Sequence, residues 1–355
     1  MQKTTLPERR RLVLKEIVDR YIRHHEPVSS RMILEDYGLL VSSATVRNDM
    51  NDLEAAGYIE KPYASSGRVP TRKGYQFFVD WLLDLSELTR SERLEIVETY
   101  EMQCLEVGEA MRHTAFLLSN LTNYLGFVVP PRLEEARLDR VILTQLNPRL
   151  ALLVVISNIG IIEHSLIPLT SELTKGETAE IAEMLNRRMS GSTLDEVSVN
   201  LAKETAEGWV DQAGLEALAA LRRHLERRTR QSTYFEGVFN LVNLLRHTSP
   251  DRAMEQFAGL VQAIYDEVGF VTAIRKSRDD KRGLTVAVGD CPLPGLDEYS
   301  VVTAGFRPYS GVLGVIAPLW MDYSRALSVT SYLANRLEGL LVASCSDFRR
   351  EADDG

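Results

Sequence analysis

Arg47, Asn48 and Asn51 are the side chains whose type and spacing best suit chemistry in this chain. In the DNA major groove Arg pairs bidentately with guanine and Asn with adenine, and Ala44 beside them suits a thymine methyl. At 100° per residue these four share one helix face, while Val46, Met50 and Leu53 share the opposite one. Ser43 and Thr45 sit at the start of the same helix, where a hydroxyl meets phosphate naturally. A solvated helix face also carries Arg and Asn as a matter of course, so the elements on either side must decide.

Those elements have a definite order. A first helix is predicted from about Pro7 to His25, with Leu14, Ile17, Val18, Tyr21 and Ile22 as its apolar stripe. Glu26-Pro27 ends it, because the residue before proline is pushed out of the α region. A short helix follows from Ser29 or Ser30 to a cap at Gly38, and the turn Tyr37-Gly38-Leu39-Leu40 leads to the helix beginning at Ser42 or Ser43. After Gly57 come a short strand, Tyr58-Ile59-Glu60-Lys61, and a hairpin tip, Ser65-Ser66-Gly67-Arg68. Val69-Pro70-Thr71 returns, with Thr71 able to cap a helix from Gly74 to Leu83. Helix, turn, helix and hairpin in this order make a winged helix-turn-helix, which lays one helix in the major groove. Arg68 is then expected to project from the wing to a minor-groove or phosphate contact, the plain alternative being an exposed hairpin Arg. Ser66, Arg72 and Lys73 flank it.

The net charge of −9 is unevenly spread. Residues 1–80 hold 13 Lys and Arg against 11 Asp and Glu, a net of +2, whereas the remainder holds 28 against 39, a net of −11. The basic residues of the first segment bunch at Arg9-Arg10-Arg11 and around Arg68, Arg72 and Lys73, which suits phosphate contact at one end of an acidic protein. At 355 residues two or three domains are expected. No apolar run approaches the roughly 20 residues that span a bilayer, and the first residues lack a signal-peptide apolar core, so a cytoplasmic protein is expected. Cys104, Cys291 and Cys345 are scattered and unpaired in pattern, as suits a reducing compartment.

Beyond Leu85 the pattern changes. Residues 86–123 are charged and helix-patterned, with Gly108 the one weak point, and suggest a linker running into a long helix. Three β-branched runs, at 141–146, 150–156 and 159–167, predict an antiparallel meander. Four further strands are predicted at 271–275, 284–288, 301–305 and 312–316, then a closing helix from about Asp322 to Leu341. The mainly helical block between the two strand sets suggests an insertion within a domain, although two separate domains would look alike. Inside it Leu218, Leu221 and Leu225 form an amphipathic stripe that suits either a core or a subunit interface.

An enzyme is not expected. The six histidines form no H-E-x-x-H or other i, i+4 metal pair, and no G-x-S-x-G elbow, P-loop or dinucleotide fingerprint is present. Gly311-Val312-Leu313-Gly314 lies between predicted strands and suits a hairpin, and Asp322 beside Tyr323 suits a helix N-cap.

The run from Val41 to Glu54 with Gly57-Tyr58-Ile59, and the run Ser66-Gly67-Arg68-Val69-Pro70-Thr71-Arg72-Lys73-Gly74-Tyr75 with Phe78-Val79-Asp80, closely resemble the bacterial heat-inducible transcription repressor HrcA family. So does the stretch from Gly311 to Pro318 leading to Met321-Asp322-Tyr323-Ser324-Arg325. Arg72 stands where that family often has an acidic residue, and Tyr63 where His is common. The resemblance implies an α+β, multidomain chain: a winged helix-turn-helix over 1–85, a GAF-like α/β sensor-type domain in two parts at 86–170 and 269–345, a mainly helical dimerisation domain inserted at 171–268, and an acidic tail at 346–355. It further implies a homodimer that binds an inverted-repeat double-stranded operator, CIRCE, and represses chaperone operons, with a GroEL-type chaperonin as modulating partner and no cofactor. The alternative is a winged-helix regulator controlled by a small effector bound in the GAF-like domain.

Overall fold

The structure is a computed structural model. It describes residues 6–37, 42–63, 66–103, 107–131, 137–158, 162–169, 174–193, 196, 233–247, 249–276, 283–291, 295–307 and 310–353. Residues 38–40 of the turn expected at Tyr37-Gly38-Leu39-Leu40, and the leucine stripe at 218–225, lie outside these.

Three helices open the chain: α1 (Glu8–His24), α2 (Ser30–Tyr37) and α3 (Ser43–Ala55). The apolar stripe of α1 buries Val13, Leu14, Ile17 and Val18, and α3 buries Val46, Met50 and Leu53. Burial of each such aliphatic side chain stabilises by roughly 1.5–3 kcal/mol, which is what docks α3 by one face and leaves the other outward. Ser42 caps α3, its Oγ accepting from the Thr45 amide at 3.2 Å. A two-stranded hairpin follows, β1 (Ile59–Glu60) and β2 (Val69–Pro70), with Ile59 opposite Pro70. Thr71 caps α4 (Arg72–Trp81), its Oγ1 accepting from the Gly74 amide at 3.2 Å.

Where one long helix was expected over 86–123, two are found: α5 (Arg90–Gln103) and α6 (Val107–Thr122). The left-handed Asn123 (φ 59°) then turns the chain into β3 (Leu125–Val129), a fully buried strand that the sequence reading missed. The chain next forms a meander, β4 (Leu138–Asn147), β5 (Leu150–Ser157) and β6 (Ile162–Pro168), with α7 (Lys175–Met189) on one face. Its own core joins Leu143, Leu153 and Val155 to Ile181, Leu185 and Met189.

A five-stranded antiparallel sheet takes the order β7-β3-β10-β9-β8, from β7 (Tyr234–Glu236), β8 (Leu284–Val288), β9 (Tyr299–Phe306) and β10 (Gly311–Pro318). One face, including Val128, Leu313 and Val315, packs on α6 and the last helix, α11 (Tyr323–Asp353). The other face, including Phe127 and Ile316, packs on α8 (Val238–Leu244), α9 (Pro250–Tyr265) and α10 (Glu267–Lys276). Burial on both faces explains the continuous apolar runs of β9 and β10.

Among the described residues the meander does not pair with the later strands: the chain leaves the five-stranded sheet after Val129 and returns at Tyr234, rather than leaving at 171 and returning at 269. The meander's alternating burial closes on α7, so it needs no second sheet. Residues 271–275 lie in α10, because Phe270, Ala273 and Ile274 are buried at helical spacing in spite of their β-branched neighbours. The helix expected to stop near Leu341 before a tail at 346 continues to Asp353.

The three-helix unit is joined to the rest by one continuous apolar core running from Leu14 and Phe78 to Tyr323 and Leu337. Lys15 pairs with Asp84 at 2.5 Å, Ser324 Oγ donates to the Asp84 carbonyl at 2.5 Å, and His25 lies 4.2 Å from the Trp320 ring. Asp19 lines the cleft beside these groups, and burial there raises its carboxyl above the usual range. Among the described residues no single helix is long and apolar enough to cross a membrane.

Candidate nucleic-acid interface

The outward face of α3 carries Ser43, Ala44, Arg47, Asn48 and Asn51, all exposed, with Thr45 half-buried beside them. Thr45 Oγ1 lies 3.0 Å from Ser42 Oγ, within the cap. Arg47 and Asn48 have no hydrogen-bond partner among the described residues, so both heads are available to a groove. The structure therefore assembles five of the ten sequence-predicted contact residues on one open helical surface.

The others are arranged differently. Arg68 does not project from the hairpin: its side chain is only 11% exposed and folds back on α3. Its Nε donates to Glu54 Oε2 at 2.8 Å, and its Nη2 approaches the same oxygen at 2.8 Å and donates to Asn51 Oδ1 at 3.1 Å. Lys61 adds a second cation 3.8 Å from Glu54. The Arg68 backbone is held too, donating to and accepting from Val28 at 2.8 Å each way. Gly67 allows that approach, since a Cβ there would stand 2.6 Å from the Val28 carbonyl. Ser66 Oγ closes the loop locally on the Tyr63 carbonyl at 2.7 Å.

Arg72, expected to attract phosphate, turns the other way. Its Nη2 pairs with Asp290 at 2.8 Å and its Nε donates to the Val288 carbonyl at 2.9 Å. Lys73 donates to the Ala56 carbonyl at 2.7 Å and stands 4.4 Å above the Tyr58 ring. The cluster at Arg9-Arg10-Arg11 is likewise engaged by groups of the protein itself. Arg9 grips the buried carboxylate of Asp49 at 2.6 Å and 3.1 Å, which raises the Arg9 guanidinium above its ordinary value. Arg10 bonds Asp52 at 2.5 Å, and Arg11 donates to the Leu6 carbonyl at 2.7 Å. The Arg9 and Arg10 bonds fasten α1 to α3. The sequence reading missed Asp49 and Glu54, whose signal was the acidic spacing along α3 opposite two basic clusters.

Residues 108–327 match the family model described as the HrcA protein C terminal domain. A protein of Pelotomaculum thermopropionicum named heat-inducible transcription repressor HrcA is 32% identical, over 95% of this chain and 97% of its own. The chain belongs to the HrcA family. A Brevibacillus brevis protein of the same name is 30% identical, over 95% of this chain and 98% of its own. A crystal structure described as that of a hypothetical protein superposes with a TM-score of 0.69 at 23% identity, covering 96% of this chain and all of that one, and so shares the fold. HrcA membership thus extends over both the open α3 face and the two-sheet body behind it.

Proposed function

We propose that this protein is a sequence-specific transcriptional repressor of heat-shock chaperone operons. It binds an inverted-repeat CIRCE operator as a cytoplasmic homodimer, with a GroEL-type chaperonin modulating its activity. The observation that carries the reading is the α3 surface: Arg47, Asn48 and Asn51 exposed together while Val46, Met50 and Leu53 anchor the opposite side. In this reading residues 1–85 are a winged helix-turn-helix and α3 is its recognition helix. The antiparallel sheet between two helical layers is a GAF-like body, and the segment between β3 and β7 is the inserted dimerisation region. Two-fold symmetry of the dimer matches an inverted repeat, and dimer geometry sets the half-site spacing. Repression by occupancy of an operator needs no catalytic group and no cofactor.

The test is binding of the purified protein to an inverted-repeat CIRCE duplex and to a scrambled duplex at near-physiological salt, with and without chaperonin. A strong preference for the repeat, increased by chaperonin, is expected. Equal weak binding to both duplexes in both conditions would overturn the reading.

A further inference from the structure

We infer that Arg68 is a positioning residue for base readout, fixing the side-chain amide of Asn51 on the recognition helix, and that it is not itself a groove or phosphate contact. This rests on the DNA-reading role proposed above.

An Arg guanidinium has only donors, so it accepts nothing from an Asn amide and must face the amide oxygen. With Arg68 Nη2 at 3.1 Å from Oδ1, the order of donor and acceptor along the Asn51 amide is set in advance. The flipped amide would present N–H to N–H and is disfavoured. Among the described residues a lone pair on Oδ1 and both Nδ2 hydrogens stay free, which is the pair of groups adenine N6 and N7 require. Readout by Asn51 then avoids the ordering cost of an unrestrained side chain.

Arg68 is in turn held by Glu54 through Nε and Nη2, and its backbone by Val28 on both sides. Reaching a phosphate would break two charge-assisted bonds. It would also leave the Glu54 carboxylate facing the polyanion with only Lys61, at 3.8 Å, to offset it among the described residues. The clamp neutralises Glu54 and orders Asn51 at once, and both functions end if Arg68 swings out.

The experiment measures binding of the full-length protein to the inverted-repeat duplex, to duplexes substituted one base pair at a time in both half-sites, and across a salt series. Asn51→Ala is expected to lose roughly 5- to 150-fold of preference at one base pair of each half-site. Arg68→Met and Glu54→Gln should lose preference at that same base pair, and the Asn51→Ala/Arg68→Met double variant should be no worse there than Asn51→Ala alone. The salt slope should match the parent's in every variant. Uniform weakening of Arg68→Met on all duplexes, with a slope flatter by about one phosphate, would overturn the inference and make Arg68 a backbone contact. If Arg68→Met fails to fold, Glu54→Gln decides alone: unchanged preference at the Asn51 base pair overturns the inference. A parent protein that prefers no duplex overturns the DNA-reading proposal itself, and this one with it.

Discussion

Arg72 at the start of α4 reaches across to the turn after β8, with its Nη2 2.8 Å from Asp290 Oδ1. The Gly289 backbone at that turn is left-handed (φ 62°), and a Cβ there would stand 3.0 Å from Arg72 Cδ, so the turn lies directly on the Arg stem. Together with the shared core, this clasp ties the unit carrying α3 to the five-stranded sheet. The unit that carries α3 thus packs on the sheet through a shared core.

The two halves of the clasp should differ in strength. The charged heads are exposed, Arg72 by 48% and Asp290 by 86%, so Asp290→Ala should change stability by less than about 1 kcal/mol. Arg72→Ala also removes the donor to the Val288 carbonyl and should loosen the joint itself. Hydrogen exchange should then quicken at the first turn of α4 and at Gly289, while the global Tm moves by only a few degrees. Unchanged exchange at both places would show that the apolar core alone holds the joint.

Arg47 is exposed and has no partner among the described residues, so Arg47→Ala should leave folding untouched. Operator binding should weaken by about 1–3 kcal/mol, with blurred preference at one base pair. A variant that binds operator and scrambled duplexes as the parent does would show that α3 is not the reading element.

What the sequence reveals of this site depends on the range of each interaction. The Ser42 and Thr71 caps, and the division of α3 between Val46, Met50 and Leu53 on one side and Arg47, Asn48 and Asn51 on the other, follow from neighbours within a turn or two and are legible directly. The destinations of the arginines are not. Arg68 meets Glu54 from 14 residues away, Arg9 meets Asp49 from 40, and Arg72 meets the Val288 carbonyl from 216. A run of basic residues looks like a phosphate surface until tertiary contacts bring carboxylates beside it. The same limit hid the sheet order: β3 and β7 pair across more than a hundred residues, and the meander between them offers equally apolar strands.

Glu92 gives the fold an acid-sensitive joint between α5 and α11. Its carboxylate accepts from the Arg325 guanidinium and from the Thr89 amide at 2.7 Å, and these two bonds hold its pKa at about 2 against an ordinary 4.5. A depressed carboxylate pKa contributes stability above the unfolded value and loses it as pH falls. The contribution should be complete above pH 4.5 and gone near pH 2. Thermal unfolding followed from pH 6 to pH 2 should show the parent above Glu92→Gln at neutral pH, with the two curves converging across that window. Parallel curves at every pH would mean that the pair contributes nothing to the joint.

Gly67 is where the hairpin and the α1–α2 connection meet most closely. An added Cβ would stand 2.6 Å from both the carbon and the oxygen of the Val28 carbonyl and 2.7 Å from the Pro27 oxygen, all backbone atoms that cannot rotate aside. Gly67→Ala must therefore push the hairpin away from Val28, straining the two 2.8 Å backbone bonds that hold Arg68. A loss of about 1–3 kcal/mol is expected in denaturant unfolding, in line with overpacking at a closed site. Because the displaced segment carries the Arg68 clamp, operator preference should fall at the Asn51 base pair even at temperatures where the variant is fully folded. Parent-like stability and preference in Gly67→Ala would show that the hairpin relaxes freely and that its contact with Val28 does not position the Arg68 clamp on α3.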